Sequence, residues 1–156
     1  MTLWGGRFDE EPEDVLWRYT ASRTDRRLLQ VDIQGSIAHV QMLGATGILP
    51  SQDVAALLDG LRAVLTEAQA GTFEFHDQDE DVHSAVERRL IELVGDVGRK
   101  LHTGRSRNDQ IALDLKLYLR SSAQERGGQL RRFALLLADL AAEHAESVVA
   151  SYTHLQ

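Results

Sequence analysis

The run Phe133-Ala134-Leu135-Leu136-Leu137-Ala138-Asp139-Leu140-Ala141-Ala142 is apolar around nearly its whole circumference when wound as a helix. A helix of that kind belongs inside a bundle. A chain of 156 residues has little else with which to enclose it, so the run calls for association between chains or for further polypeptide. It also fixes the fold class. Leu and Ala favour helix, β-branched clusters are few, and only two prolines interrupt the chain, which points to an all-α protein.

The rest of the chain divides in the same terms. Residues 1–24 read as a flexible N-terminal arm with an acidic run, Asp9-Glu10-Glu11-Pro12-Glu13-Asp14. From Asp25 to Gly47 the positions Leu28, Val31, Ile37, Val40 and Leu43 suit one helix. Pro50-Ser51 opens the next, with Ser51 as N-cap and Asp53 in the first turn; Val54, Leu57, Leu58, Leu61, Val64 and Leu65 form its stripe, and Gly71 closes it. A third helix carries His83 in its first turn and continues through Val86, Leu90 and Val94 to Gly95 or Gly98. Ile111, Leu113, Leu115, Leu117 and Leu119 alternate as a strand would. Their leucines and the intervening Ala and Lys favour helix instead, and a helix clasped by several neighbours accommodates apolar residues on more than one face. Gly127-Gly128 marks a bend or a break.

Two stretches carry candidate chemistry. Asp77, Asp79 and Asp81 alternate like the start of a calcium loop, but position six is Val82 rather than glycine and position twelve is Arg88 rather than glutamate. These acids fit better as partners of the helix N-terminus that follows. Lys100–Gln110 gathers Lys100, His102, Arg105 and Arg107 in a chain of net charge -7. Gly104 permits a turn, and Ser106, Asn108 or Asp109 can cap the helix beyond it. Exposed N–H groups, a hydroxyl, an amide and positive charge suit a carboxylate ligand. A solvated basic loop has the same composition, and Arg105 could equally pair with a neighbouring acid. His83 reads either as a structural histidine or as a pocket residue.

The wording of the loop, Leu101-His102-Thr103-Gly104-Arg105-Ser106-Arg107-Asn108-Asp109-Gln110, resembles the signature of the argininosuccinate lyase family in the aspartase/fumarase superfamily. Leu3-Trp4-Gly5-Gly6-Arg7-Phe8 resembles that family's N-terminus. Tyr19-Thr20-Ala21-Ser22 before Asp25-Arg26 resembles its segment with a substrate-binding serine, one residue shorter here. Glu80-Asp81-Val82-His83 resembles the segment preceding the signature. Tyr152-Thr153-His154-Leu155-Gln156 resembles the second signature, with Ala150-Ser151 where the family has Pro-Gly.

The resemblance implies an enzyme, a carbon–nitrogen lyase that cleaves argininosuccinate to arginine and fumarate by acid/base elimination in arginine biosynthesis. It implies Ser22, His83, Ser106, Arg107, Asn108 and Thr153 as substrate-binding residues and His154 as the catalytic acid/base group. It needs no metal and no organic cofactor. It implies a homotetramer around a shared helical bundle. A helical domain at 25–104 would be followed by the start of a truncated central bundle at 105–156. The third signature, a serine loop carrying the base, is absent, so the chain looks like the first third of an enzyme. The loop wording argues against a sibling acting on adenylosuccinate. The reading from another class is a catalytically inactive helical scaffold. Net negative charge disfavours nucleic acid and anionic membrane as partners, and no apolar run reaches spanning length. The absence of cysteine and of a signal-peptide pattern points to the cytoplasm.

Overall fold

A computed structural model describes Val15, Tyr19, Ala21 and residues 23–154. Ser22, the Leu3–Phe8 segment and the acidic run at 9–14 lie outside the described residues. Among the described residues the regular elements are all helical, as the composition requires. They are α1 (Leu29–Ala45), α2 (Ser51–Ala70), α3 (Val82–Val94) and α4 (Arg107–Glu143), with 3-10 segments at Thr24–Leu28 and Gly95–His102. Residues up to Tyr118 form one compact unit, and those from Leu119 onward form another.

In the first unit α1, α2 and α3 pack against one another. Ile33, Val40 and Leu43 from α1 meet Leu57, Leu61 and Val64 from α2 and Val86 and Leu90 from α3, all essentially inaccessible to solvent. Each set recurs at three, four or seven residues, the spacings that put side chains on one helical face. Burying a leucine this fully stabilises the fold by about 1.5–3 kcal/mol. Gly60 sits in the α2 stripe because a side chain does not fit there. A Cβ would lie 2.6 Å from Leu90 Cδ1 and 2.7 Å from Val94 Cγ1.

Helix ends follow the local chemistry, with three departures from the sequence reading. Asp25–Gly47 is not one helix: Thr24–Leu28 is 3-10, and the α-helix starts at Leu29. Asp25 is used elsewhere, its Oδ2 accepting the N–H of Val82 at the start of α3 at 3.1 Å. Ser51 is not the cap of α2. Pro50 holds an extended conformation, φ -67 and ψ 149, and its carbonyl accepts from the N–H groups of Asp53 (3.0 Å) and Val54 (3.1 Å). Ser51 is therefore already helical. Gly127 and Gly128 neither break nor end α4, since glycine lowers helix propensity yet keeps its N–H donor.

Gly71 closes α2 in the left-handed region at φ 70, as its position suggests. α3 opens with a capping box: Ser84 N–H donates to Asp81 Oδ1 at 2.7 Å, and Asp81 N–H donates to Ser84 Oγ at 3.0 Å. Arg88 of α3 ties down the acidic loop before it, taking Asp79 away from the helix N-terminus, and Arg89 ties α3 to α2. Arg88 grips both oxygens of Asp79, at 2.8 and 3.0 Å, and Arg89 grips both oxygens of Glu67 from α2. Residues 111–119 are helical, which settles the strand-or-helix conflict.

In the second unit the apolar run stays open to solvent, with Phe133 58% and Leu136 54% exposed. No helix among the described residues is long and apolar enough to cross a membrane.

Two glycine substitutions should move stability in opposite directions. Gly60→Ala overpacks the α2–α3 contact and should cost about 1–3 kcal/mol in urea unfolding. Nothing lies within 4 Å of a Cβ at Gly127, so Gly127→Ala should add helix stability of about 1 kcal/mol, read as slower amide exchange around that position.

Candidate functional site

The start of α4 is shaped by its own short-range hydrogen bonds. Gly104 turns the chain at φ 63. Ser106 then caps the helix: its Oγ accepts the N–H of Asn108 at 3.2 Å and its carbonyl accepts the N–H of Gln110 at 3.1 Å. The turn is anchored on α1, where His39 Nε2 donates to the carbonyl of Thr103 at 3.0 Å. Lys100–His102, read from sequence as open loop, belongs to the 3-10 segment that buries Leu101. Ser106 and Asn108 are exposed at the helix N-terminus, where N–H groups and the helix dipole favour an anion. Arg107 lies half-buried beside them. Its Nη1 donates to Gln110 Oε1 at 3.0 Å, and its guanidinium faces Asp81 at 3.9 Å and Glu87 at 4.0 Å.

Behind this turn three helices meet at a buried polar junction. His83 from α3, Asp32 from α1 and Gln110 and Asp114 from α4 are 0–4% exposed. His83 Nδ1 lies 2.9 Å from Asp32 Oδ1 and 3.5 Å from Asp114 Oδ2. Gln110 Nε2 also donates to Asp32 Oδ1. Arg105 reaches in from the turn, its Nη1 donating to Ser36 Oγ at 3.0 Å. Gly35 lies against this junction: a Cβ there would be in ordinary contact with Asp114 Oδ1 at 3.5 Å and Arg105 Nη2 at 3.6 Å, and closer to Leu113 Cδ2 at 3.3 Å.

Two adjacent buried carboxyls cannot both ionise cheaply. Burial alone would raise Asp32, but the hydrogen bond and charge of His83, with the hydrogen bond from Gln110, outweigh it. Its carboxyl therefore lies below the usual value and is the ionised member. Burial, then the charge and hydrogen bond of Asp32, push Asp114 from 3.8 up to about 7. An ionised Asp32 can only accept, so the His83 proton is on Nδ1. Burial holds the His102 imidazole below its ordinary value, with Arg107 acting in the same direction.

Ligand atoms of Asp32, His83 and Asp114 lie within 4.8 Å of one another, a spacing a small cation could use. Arg105 already sets a positive charge beside the two acids, and the His83 nitrogen that faces Asp32 carries the hydrogen of their bond, which leaves no lone pair there for a cation.

The turn thus brings Ser106, Arg107 and Asn108 together, with His83 in the junction behind them. Thr153 and His154 are exposed residues of the second unit, His154 at φ 52. Asp32, Ser36, Gln110 and Asp114 escape a reading of the sequence, although Gln110 and Asp114 are spaced four apart and so share a helix face.

The lyase family profile matches residues 6–156. Argininosuccinate lyase from Herminiimonas arsenicoxydans is 49% identical over 154 residues, covering 98% of this chain and 33% of that protein. Argininosuccinate lyases from Heliobacterium mobile and Pelotomaculum thermopropionicum are 46% and 47% identical over 155 residues, covering 99% of this chain and 34% of theirs. The chain therefore spans about a third of the length of the curated relatives it matches.

The raised Asp114 pKa has a definite sign. Between its unfolded value of 3.8 and its folded value of about 7 the native state holds a proton the unfolded state has lost. Stability should therefore fall as pH rises from about 4 to 7, by up to ~4 kcal/mol at roughly 1.4 kcal/mol per pH unit. Thermal unfolding of Asp114→Asn across that range should show a flatter profile than the parent chain.

Proposed function

The chain belongs to the lyase family whose profile it matches over residues 6–156, and on that premise we propose that it is the N-terminal portion of an argininosuccinate lyase. The observation that carries this reading is the first turn of α4. It presents Ser106 and Asn108 to solvent with Arg107 beside them, in a chain nearly half identical to proteins of that name.

The reaction removes a carbon-bound proton next to a carboxylate and expels a guanidino nitrogen. Negative charge develops on that carboxylate and must be met by fixed donors. Ser106 and Asn108 would hydrogen-bond a substrate carboxylate, and Arg107 would supply charge. His83 has Nδ1 committed to Asp32, so it would have only Nε2 to offer. Ser22 and Thr153 would complete the carboxylate contacts. His154 would act as acid or base, directly or through a water, since imidazole titrates near neutral pH. The base that takes the carbon proton would come from outside residues 1–156. No metal or organic cofactor is required by these steps.

On the same reading residues 25–104 are a helical domain and 105–156 begin a central bundle. The exposed Phe133, Leu136 and Leu140 support a covering by other chains or by further polypeptide, which on this reading is a homotetramer, because an apolar helix of that kind gains stability only when covered. The enzyme would be cytoplasmic. The second reading, an inert scaffold, is favoured by the chain's coverage of about a third of its relatives.

A chimera separates the two. Residues 1–156 replace the corresponding third of the Herminiimonas arsenicoxydans protein, and fumarate release from argininosuccinate is followed by absorbance. The proposed role predicts turnover that Asn108→Ala lowers by at least ~100-fold in kcat/KM, about 2.7 kcal/mol. A folded but inactive chimera would favour the scaffold.

A further inference from the structure

Gln110 is a buried amide with both ends in use. Its Nε2 donates to Asp32 Oδ1 and its Oε1 accepts from Arg107 Nη1 at 3.0 Å. Rotating the amide by half a turn would aim its oxygen at a carboxylate and its N–H groups at a guanidinium, and both contacts would become repulsive. Asp32 holds the amide in the observed sense only while it accepts without donating, and His83 Nδ1 fills the other side of the same oxygen at 2.9 Å. Arg107 is in turn the half-buried cation beside the exposed Ser106 and Asn108. It also forms longer ion pairs with Asp81 at 3.9 Å and Glu87 at 4.0 Å, and the charge of Arg105 lies near it. Gln110 supplies its short hydrogen bond and so fixes the direction of the guanidinium between those pairs.

We propose that Asp32 is a positioning residue for Arg107, acting through the oriented amide of Gln110 and not through a hydrogen bond of its own to Ser106, Arg107 or Asn108. The inference rests on the reading of that turn as a dicarboxylate site. Its physical content is separate: the placement of one guanidinium depends on an acceptor two contacts away. Asp32→Asn keeps the shape of the carboxylate but can present an N–H toward Gln110, which then has a reason to turn over. Gln110→Met removes the amide and keeps much of the volume.

The test uses the purified 156-residue chain and fumarate as the probe. The NMR signal of the Arg107 Nε–H is recorded without ligand, and fumarate affinity is taken from a titration of the Ser106–Asn108 amides. Asp32→Asn and Gln110→Met should each shift the Arg107 signal and weaken fumarate by about 10-fold, and Asp32→Asn in the Gln110→Met background should add less than about 2-fold. A merely structural loss would leave the two effects additive, as for Glu67→Gln at the α2–α3 ion pair combined with Gln110→Met. Additive losses, or an Arg107 signal unmoved by Asp32→Asn, would overturn the proposal. If Asp32→Asn does not fold, Gln110→Met alone must still shift Arg107, and an unmoved signal overturns it. If the parent chain binds no fumarate, the dicarboxylate reading fails, while the ligand-free Arg107 signal still decides whether Asp32 positions it.

Discussion

One oxygen of one carboxylate holds the first unit's polar centre together. Asp32 Oδ1 accepts from His83 on α3 and from Gln110 on α4 while Asp32 itself belongs to α1. A buried carboxylate is unfavourable unless its lone pairs are met, and leaving one uncompensated typically costs several kcal/mol. The three helices are therefore obliged to keep their relative placement at this point, where an apolar contact would tolerate sliding. Asp114 adds a second carboxyl, which burial and then the first carboxylate make keep its proton up to about pH 7. The same junction determines which way the Gln110 amide faces. Local packing and the geometry of the proposed carboxylate site are in this way one problem.

The start of α4 inverts the usual rule of burial. Gln110 and Asp114 face inward, while Ile111, Leu115 and Leu119 are 43%, 49% and 56% exposed. Gln110 points in to donate to Asp32 and Asp114 points in beside His83, 3.5 Å from its Nδ1, and α4 gives this unit little apolar surface in return. Exposed leucines on that scale are unfavourable in an isolated chain, which is the physical motive for the proposed assembly.

The helices were legible because their apolar residues repeat at three and four positions, and α2 with its stripe of Leu57, Leu61 and Val64 is the plainest case. The turn at Ser106 was legible through its wording and its capping chemistry. Asp32 and Asp114 were not. An acid flanked by apolar residues in a helix, as in Val31-Asp32-Ile33, ordinarily marks the solvent face, and only the arrival of His83 from 51 positions away reverses that. The inverted face of α4 hid Asp114 in the same way, since Ile111 and Leu115 near it are open to solvent while the acid is buried. The split of Asp25–Gly47 was equally unreadable, because Asp25 answers to a backbone N–H on α3 and not to its own helix. At Asp25, Asp32 and Asp114 local rules failed because the partner is distant in sequence, whereas at Ser51 the neighbouring Pro50 took the cap position.

The most direct test of the junction is a carbon NMR titration of the Asp32 and Asp114 side-chain carboxyls in the folded chain. The account predicts that Asp32 stays ionised to below the ordinary carboxylate range, while Asp114 takes up its proton at about pH 7. Both carboxyls titrating together near their ordinary value of 3.8 would contradict it, because burial and the neighbouring charge would then not set the two acids apart.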